Sequence, residues 1–340
     1  MTRFAGSAAE AAVFVNRCWA ARFSRSESCP QWDAAFFDWQ VFSRPDSLRI
    51  AAYAGGDLAG LVFSLPTEVV LNGDPLRLAQ ASWLSVAPEM ARRGVAKALA
   101  AEMARQEAAA GCAFMFGYAV PGKGSHGPRF WQGKVAAARR PGLRPWVRAL
   151  DAGVLRRSVG AVSERLAAAL AAALRLDRCG AVAAAVRPCR VGDLAACGAL
   201  LRAADAEAAF RYDWSDDHLA RQLQGGGFPT TLVFDDGGLQ GFASFHRVGF
   251  RGRQEFSAGL IDHLVTRPGA KGVGSALLGA ALAAMQQQGL ALAVCTDAAG
   301  VSPALLLRHG FAPMPERYDL LFIGAEVALP QAGGIRVHLR

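Results

Sequence analysis

Residues 85–99, SVAPEMARRGVAKAL, bring three kinds of sequence together in one short stretch. An apolar run typical of a β-strand leads into a basic loop, and an alanine-rich run typical of a helix follows. A strand-to-helix turn of this kind leaves backbone N–H groups without partners at the positive end of the helix dipole. Gly94 would let a ligand approach the backbone closely. Positive charge comes from Arg92, Arg93 and Lys97. The stretch therefore predicts a site for an anion such as a phosphate or pyrophosphate.

The same order of elements occurs twice in the chain. In the first copy, a hairpin that turns at residues 55–57 and a further strand precede the basic loop, and the apolar strand CAFMFGYAV follows the helix. In the second copy, a hairpin that turns at residues 236–238 precedes FSAGLIDHLVTRPGAKGVGSALLGAAL, which is again strand, glycine loop and helix. One unit repeated after roughly 180 residues predicts an α/β (α+β) chain with two similar domains. We expect each domain to have a mixed, mainly antiparallel sheet flanked by helices. The predicted limits are 1–150 for the N-terminal domain, 151–180 for a connecting amphipathic helix and 181–340 for the C-terminal domain.

Composition bounds the class of protein. The 340 residues suit two domains of about 150 residues each, and 52% hydrophobic residues suffice for buried cores. The net charge of +9 favours anionic ligands, but no nucleic-acid-binding motif occurs. Seven cysteines without a Cys-x-x-Cys pair indicate reduced thiols in a cytoplasmic protein and no metal site. We predict neither a signal peptide nor a transmembrane span, because charged residues interrupt the apolar runs.

The basic loop resembles the coenzyme A pyrophosphate loop of the GNAT superfamily of acyltransferases. That loop follows a strand ending Val-x-Pro and reads Arg/Gln-x-x-Gly-x-Gly/Ala, and this chain has Val-Ala-Pro at 86–88 and Gly-Val-Ala at 94–96. The second copy keeps Gly-Val-Gly at 272–274 but is two residues shorter after its proline. The resemblance implies two GNAT folds and acyl-CoA as co-substrate. It assigns coenzyme binding to Val86, Arg92, Arg93, Gly94, Val95, Ala96 and Lys97 in the first copy, and to Lys271, Gly272 and Gly274 in the second.

Three positions depart from the superfamily pattern. Ala91 and Gly269 stand where the loop prefers Arg or Gln, and Leu306 stands where a later helix often carries a tyrosine that acts as general acid. These departures leave open a protein that binds a partner and catalyses nothing.

A narrower resemblance, across both halves, is to the N-myristoyltransferases, which are themselves tandem GNAT folds. SWLSVAPEMARRGVAKAL at 82–99 is similar to their acyl-CoA-binding stretch, and VRPCRVGDLAACGALL and LQGFASFHRV are similar to parts of their second half. In that family the backbone amides of a Phe-Leu pair form the oxyanion hole, which implies this role for Trp83 and Leu84 here. Their base is the terminal carboxylate, whereas this chain runs on through GAEVALPQAGGIRVHLR, so that role is not carried over.

Acyl transfer to an amine also needs a base that takes a proton from the amine. Asp262 and His263 directly precede the second loop, on a strand that often carries this group in GNAT folds. Glu68, His126 and Tyr118 are further candidates. An acidic residue or histidine on a strand more often has a solvated or structural role, and His126 and Tyr118 are explained equally well as a loop residue and a core aromatic.

Residues 151–180 have apolar side chains at helical spacing: Leu155, Val159, Val162, Leu166, Leu170 and Leu174. Such a helix either packs on a domain or, with its arginines, makes weak contact with a membrane. A run of arginines surrounds its start: Arg139, Arg140, Arg144, Arg148, Arg156 and Arg157. They form either a solvated face or a contact for the coenzyme 3′-phosphate or an acidic peptide.

The sequence thus favours a cytoplasmic, acyl-CoA-dependent N-acyltransferase. Its N-terminal half would bind acyl-CoA and its C-terminal half would shape the site for an amine on a peptide or small metabolite. A medium or long acyl chain is narrowly favoured over acetyl. The alternatives are an N-acetyltransferase that uses acetyl-CoA on a small amine, and a catalytically inactive GNAT-fold binding protein.

Overall fold

The computed structural model describes residues 1–23, 27–119, 130–131, 137–140, 142–180, 182–325, 327 and 334–338. The helices of these residues are α1 Ala8–Ala20, α2 Ala34–Phe37, α3 Val95–Ala109, α4 Ala152–Ser158, α5 Val162–Ala173, α6 Leu194–Asp205, α7 Asp216–Gln224, α8 Val273–Gln287 and α9 Pro303–Arg308. The strands are β1 Thr2–Arg3, β2 Cys29–Gln31, β3 Leu48–Ala54, β4 Asp57–Leu71, β5 Asp74–Val86, β6 Met115–Ala119, β7 Ala137–Arg140, β8 Pro145–Ala149, β9 Val186–Pro188, β10 Phe210–Tyr212, β11 Thr230–Asp235, β12 Leu239–Arg251, β13 Glu255–Thr266, β14 Leu292–Thr296, β15 Ala312–Pro313, β16 Asp319–Ile323 and β17 Ile335–Arg336.

The strands form two sheets. The first has the order β1-β3-β4-β5-β6-β16-β7, with β10 beside β4 and β17 beside β10. The second has the order β15-β8-β14-β13-β12-β11-β9, with β2 against β12. Most neighbours are antiparallel, whereas β5–β6 and β13–β14 are parallel. This confirms the predicted class, an α/β (α+β) chain with two mixed, mainly antiparallel sheets.

Strands cross between the two halves of the chain. β16, late in the chain, lies between β6 and β7 in the first sheet, and β8, which ends before residue 150, lies between β14 and β15 in the second. A cut of the chain between residues 150 and 181 would therefore divide both sheets. The predicted limits, 1–150 for the N-terminal domain and 181–340 for the C-terminal domain, describe order along the chain and stay a prediction.

In each sheet, a glycine on one hairpin strand leaves room for a helix to pack closely against the strands. At Gly60 on β4, an added Cβ would lie 2.8 Å from side-chain carbons of both Val95 and Leu99 on α3. At Gly241 on β12, an added Cβ would lie 3.1 Å from side chains of α8 and 2.6 Å from the carbonyl oxygen of Val265. The same small residue thus brings α3 and α8 close to their sheets, as expected of a repeated unit.

The predicted single helix over 151–180 is wrong in one respect, because the structure has two helices there. Val159 takes an extended conformation (φ −72°, ψ 147°) and ends α4. Leu155 and Val159 are buried. The later apolar side chains, on and after α5, are instead 59 to 66% exposed: Val162, Leu166, Leu170 and Leu174. Weak membrane contact through this face stays a prediction. Within the described ranges, the helices are too short or too polar to cross a membrane.

Candidate functional site

A β-bulge interrupts β5 at Trp83 and Leu84. Leu61 on β4 pairs with Ser85, and Phe63 pairs with Ser82, so two residues of β5 stand opposite one residue of β4. Trp83 has φ +53°, a left-handed conformation that bulky side chains rarely adopt. A bulge takes residues out of regular ladder pairing, and backbone N–H groups released in this way can polarise a carbonyl oxygen. We call this pair the first bulge.

Aromatic packing holds the first bulge in place. The Trp83 side chain is only 4% exposed. Its ring lies edge-on to those of Phe36, Phe37 and Phe63 at centroid distances of 5.7, 5.4 and 6.1 Å. Such contacts compensate for the unfavourable backbone conformation, since strained residues persist only where their surroundings determine them.

The first loop, residues 88–94, leads from β5 to the start of α3. Gly94 is the N-cap of α3 with φ +80°, and Arg92 also has positive φ, at +63°. Among the described residues, no side chain caps this helix. The amides of residues 95–97 therefore point outward at the positive end of α3, beside the exposed side chains of Arg92, Arg93 and Lys97. This geometry suits the anion that the sequence predicts.

The second half of the chain also has a β-bulge followed by a glycine-capped helix, with different side chains. The β12–β13 register shifts between Ser244, which pairs with His263, and Phe245, which pairs with Ile261. Asp262 is therefore the extra residue of a second bulge. Gly272 caps α8 with φ +80°, as Gly94 caps α3. At Gly274 an added Cβ would lie 3.3 Å from Leu305, so this position needs a small residue for packing.

Asp262 forms a buried pair with His246. Its Oδ2 lies 2.7 Å from Nδ1 of His246, and the two residues are 3% and 1% exposed. Gln222 Nε2 reaches the same carboxylate oxygen at 3.4 Å. A carboxylate fixes the tautomer and orientation of an imidazole in this way, which is what a proton-transfer pair requires.

His263 follows Asp262 on the same face of β13, because the bulge at Asp262 interrupts the usual alternation of side chains. The His263 ring contacts His338, Trp214 and Phe242 at centroid distances of 4.4, 5.5 and 5.9 Å. The structure therefore separates the two adjacent candidates, Asp262 and His263, into different surroundings.

Phe36 joins the first bulge to the Asp262–His246 pair. Its ring centroid is 5.7 Å from that of Trp83 and 5.7 Å from that of His246. Trp39 also contacts His246, at 5.0 Å. One aromatic ring thus separates the first bulge from the Asp262–His246 pair.

A polar cluster beside this region includes residues near the end of the described chain. Gln80 Nε2 donates to the carbonyl oxygen of His338 at 2.8 Å, and the Tyr212 hydroxyl donates to Gln80 Oε1 at 3.0 Å. The same Tyr212 oxygen accepts from the His338 amide at 3.2 Å. Residues 337–338 are buried here, and a small cavity between the halves is lined by Gln80, Tyr212 and Gln222, among others.

The remaining sequence candidates have other surroundings. Glu68 forms an exposed ion pair with Arg77 at 3.1 Å, which is typical of a solvated surface pair. The Tyr118 hydroxyl donates to the carbonyl oxygen of Val337 at 2.9 Å, and burial raises the pKa of Tyr118 well above its ordinary value. Tyr118 therefore stays protonated and holds residue 337 in place. His126 lies outside the described residues.

Three residues of this region were missed by sequence reasoning: His246, Gln222 and His338. His246 stands in an ordinary strand, FASFHRV, and no short-range pattern marks its partner sixteen residues later. Within the described ranges, no group of three or more His, Cys, Asp or Glu side chains is placed to hold a metal.

Comparison with known proteins gives one family match and several structural matches. Residues 9–125 match the family model of the acetyltransferase (GNAT) domain. The N-myristoyltransferase of Saccharomyces cerevisiae, solved with bound myristoyl-CoA, aligns with 94% of this chain and 76% of its own at 12% identity, with a TM-score of 0.75. GCN5-related N-acetyltransferases align less closely. The protein from Kribbella flavida shares 16% identity over 94% of this chain and 70% of its own (TM-score 0.53), and that from Anabaena variabilis shares 14% over 92% and 69% (TM-score 0.52). No curated protein sequence matches the chain.

Proposed function

We propose that this chain, an acyltransferase of the GNAT superfamily distantly similar to the N-myristoyltransferases, moves an acyl group from a coenzyme A thioester to a primary amine of a peptide or small metabolite. One observation carries the proposal. The left-handed bulge at Trp83 and Leu84 stands one aromatic ring away from a buried Asp–His pair. Acyl transfer requires both functions, and each comes from a different half of the chain.

The N-terminal half is the proposed acyl-CoA site. The outward amides of Val95, Ala96 and Lys97 would hold the pyrophosphate, with charge from Arg92 and Arg93. Gly94 keeps the loop backbone accessible in its left-handed turn, and the buried Val86 fixes the end of β5 against the sheet. The thioester carbonyl oxygen would accept hydrogen bonds from the amides of Trp83 and Leu84.

The C-terminal half is the proposed source of the base. The amine nitrogen attacks the thioester carbonyl carbon, the carbon–sulfur bond breaks, and coenzyme A leaves as a thiolate. The Asp262–His246 pair would take the proton that the amine loses, and that proton can then neutralise the thiolate. We assign this role to Asp262 rather than to His263, whose ring faces Trp214 and His338.

A medium or long acyl chain is the favoured donor group. Its support is the fold, because the N-myristoyltransferase matches with a TM-score of 0.75 and the acetyltransferases with 0.52 and 0.53. Acetyl is the second candidate, favoured by the description of the family model that matches residues 9–125. The cytoplasm is the proposed location.

Calorimetric titration of acetyl-, octanoyl- and myristoyl-CoA tests the donor. Each methylene buried in a chain pocket should add about 0.8 kcal/mol to the binding free energy. Affinity that rises steeply with length would support a fatty acyltransferase, and equal affinities would support the acetyltransferase. If none of the three binds, the protein is not an acyl-CoA enzyme.

The same titration locates the coenzyme. Replacing Arg92 and Arg93 by Ala should weaken binding of every acyl-CoA about tenfold or more, since each removes a charged contact to phosphate. Arg251 and Arg253, at the turn from β12 to β13, are also exposed, so their double Ala variant is the matched control. Unchanged affinity in the first variant would contradict the assignment.

If coenzyme instead binds the second loop, with Lys271, Gly272 and Gly274, then Gly272→Phe should abolish binding. Turnover of any acyl-CoA with any amine excludes the inactive binding protein.

A further inference from the structure

The exposed face of α5 is apolar, although the exposed face of a surface helix is normally polar. Four large side chains, spaced four residues apart, are 59 to 66% exposed: Val162, Leu166, Leu170 and Leu174. We call these four side chains the α5 face. Of the twelve residues of α5, all of which are described, Ala168 alone is buried. The helix therefore packs on the domain through a small side chain and turns its large side chains to solvent.

Exposed hydrophobic side chains concentrate in this part of the chain. Among the described residues eleven large hydrophobic side chains are exposed, and six of them lie within residues 162–182: the four of the α5 face, Leu176 and Val182. Single exposed hydrophobic residues are common on protein surfaces, whereas a concentration of them indicates a contact surface.

The exposed charged side chains beside the α5 face are all positive. Among the described residues of 156–182 they are Arg156, Arg157, Arg175 and Arg178. None of the ion pairs found among the described residues includes any of the four. The two carboxylates of the segment, on Glu164 and Asp177, are half-buried. Burial raises the pKa of Glu164, and the charge of Asp177 acts on the buried Arg148. Exposed positive charge thus lies in sequence on both sides of the α5 face.

The end of α5 contributes one of these charges from an unusual backbone position. Arg175 has φ +54°, a left-handed conformation. Its amide donates to the carbonyl oxygen of Ala172 at 3.1 Å, and the amide of Leu176 donates to that of Ala171 at 2.9 Å. These two bonds form a Schellman cap, in which the left-handed residue is usually glycine. The chain therefore has an exposed guanidinium next to Leu174 where backbone stability would favour glycine.

We propose that the α5 face docks on the surface of an anionic lipid bilayer. Its side chains would enter the boundary between headgroups and acyl chains, and the four arginines would contact lipid phosphates. Twelve helical residues rise about 18 Å, which is short of the roughly 30 Å hydrocarbon core, so α5 would lie in the plane of the surface. The inference goes beyond the proposed function, because acyl transfer at the first bulge requires no bilayer.

The polarity of α5 favours a lipid surface over a protein partner. Among the exposed residues of α5, all of them described, Ser163 alone has a polar side chain. Protein interfaces contain directional hydrogen bonds as well as apolar contacts, and the exposed side of α5 offers few groups for them. A lipid surface requires only apolar area and positive charge.

Co-sedimentation of the full chain with vesicles tests the proposal. Vesicles of phosphatidylcholine mixed with phosphatidylglycerol should bind the wild type. Vesicles of phosphatidylcholine alone should bind it about tenfold more weakly or less, because they lack the negative surface potential that attracts arginine. Raising the salt concentration should weaken binding to the anionic vesicles, since counterions screen exposed charges.

A double variant of the α5 face tests the apolar contribution. Leu166→Ala/Leu170→Ala removes apolar area and no charge, and it should weaken binding to the anionic vesicles about tenfold or more. Val13→Ala/Val191→Ala is the matched control, because Val13 and Val191 are 71 and 77% exposed outside the segment. Both variants should keep the wild-type thermal midpoint, as exposed substitutions do.

A second double variant tests the charge. Arg175→Ala/Arg178→Ala should weaken binding to the anionic vesicles about tenfold or more, and it should leave binding to phosphatidylcholine unchanged. The control is Arg3→Ala/Arg22→Ala, which removes two exposed arginines of the first half. This control should bind the anionic vesicles as the wild type does.

Four results would overturn the proposal. Three concern vesicles: no binding to the anionic vesicles, equal binding to both kinds of vesicle, and equal weakening in a variant and its control. The fourth comes from sedimentation velocity without lipid. A dimer that Leu166→Ala/Leu170→Ala loses would show that the α5 face joins two copies of the chain. Failure of the proposed function is seen separately, because the affinity for acyl-CoA is measured without lipid.

Discussion

At the scale of single residues, the proposed chemistry depends on which neighbours a side chain contacts. Asp262 and His263 are neighbours in sequence, yet Asp262 bonds to His246 at 2.7 Å while the His263 ring packs on that of His338. The spacing before the second loop predicted both residues without distinguishing them. The bulge at Asp262 shifts the register of β13 by one residue and turns both side chains to one face, where each has different neighbours.

Asp262→Asn should lower the rate of acyl transfer about a hundredfold or more, because a general base typically contributes at least that factor. The affinity for acyl-CoA, measured by calorimetry, should not change, since the coenzyme is assigned to the other half. His263→Asn is the matched control, as it changes the next residue, whose ring contacts Trp214 and His338. A larger rate loss in the control than in Asp262→Asn would reverse the assignment of the base. Thermal midpoints of both variants show whether a loss of rate reflects unfolding.

Because the carboxylate of Asp205 is buried, we expect the free energy of unfolding to depend on pH, independently of catalysis. Burial raises the pKa of Asp205 to about 6, although Arg336, at 3.3 Å, favours the charged form. The folded state therefore binds this proton more tightly than the unfolded state, whose pKa is the ordinary 3.8. Its contribution to stability is fully present below about pH 4 and is lost as the pH rises to about 6.

Urea unfolding of the wild type and of Asp205→Asn measures this effect. The Asn variant has no such titration, so the free energy of unfolding of the wild type relative to the variant should fall by about 2 kcal/mol between pH 4 and pH 7. Parallel stability curves for the two proteins over that range would contradict the assigned pKa of Asp205.

At the scale of elements, local sequence predicts the loops and their helices well. Gly94 and Gly272 both sit at helix starts with φ +80°, as their position between an apolar strand and an alanine-rich run indicates. The sequence did not reveal the end of α4 at Val159, because an apolar residue at helical spacing continues the pattern whatever its backbone does. Nor could periodicity decide that the face of α5 stays exposed, since burial depends on what packs against a helix.

Substitution of two leucines distinguishes the packed part of the segment 151–180 from its exposed part. Leu155→Ala on α4 should lower the free energy of unfolding by roughly 2 to 5 kcal/mol, because Leu155 is 5% exposed and packs in a cluster with Phe256. Leu166→Ala on α5 should change it by less than about 0.5 kcal/mol, because Leu166 is 66% exposed. Urea unfolding of the two variants gives both values, and a large loss in Leu166→Ala would show that α5 has a covered face.

At the scale of the whole molecule, the strand exchange makes one folding unit of two similar halves. Rings from both halves meet in one core, where the ring centroid of Phe210 lies 5.1 Å from that of Phe116 and 5.5 Å from that of Phe322. The sequence predicted the repeat but not the exchange, because an apolar five-residue strand carries no mark of the strand it will pair with. Only the three-dimensional packing shows that β16 lies between β6 and β7.

This exchange predicts a single cooperative unfolding transition. Five of the seven tryptophans pack in the cores of the first sheet, whereas Trp146 lies on β8 in the second, so fluorescence reports chiefly on the first sheet. Far-UV circular dichroism reports on all helices and strands. The two signals should share one urea midpoint. Leu320→Ala on β16 removes a fully buried side chain of the second half and should lower that midpoint equally by both signals, because the strand belongs to the first sheet. If Leu320→Ala shifts the circular dichroism transition but leaves the fluorescence transition in place, the halves unfold independently and the exchanged strands do not couple them.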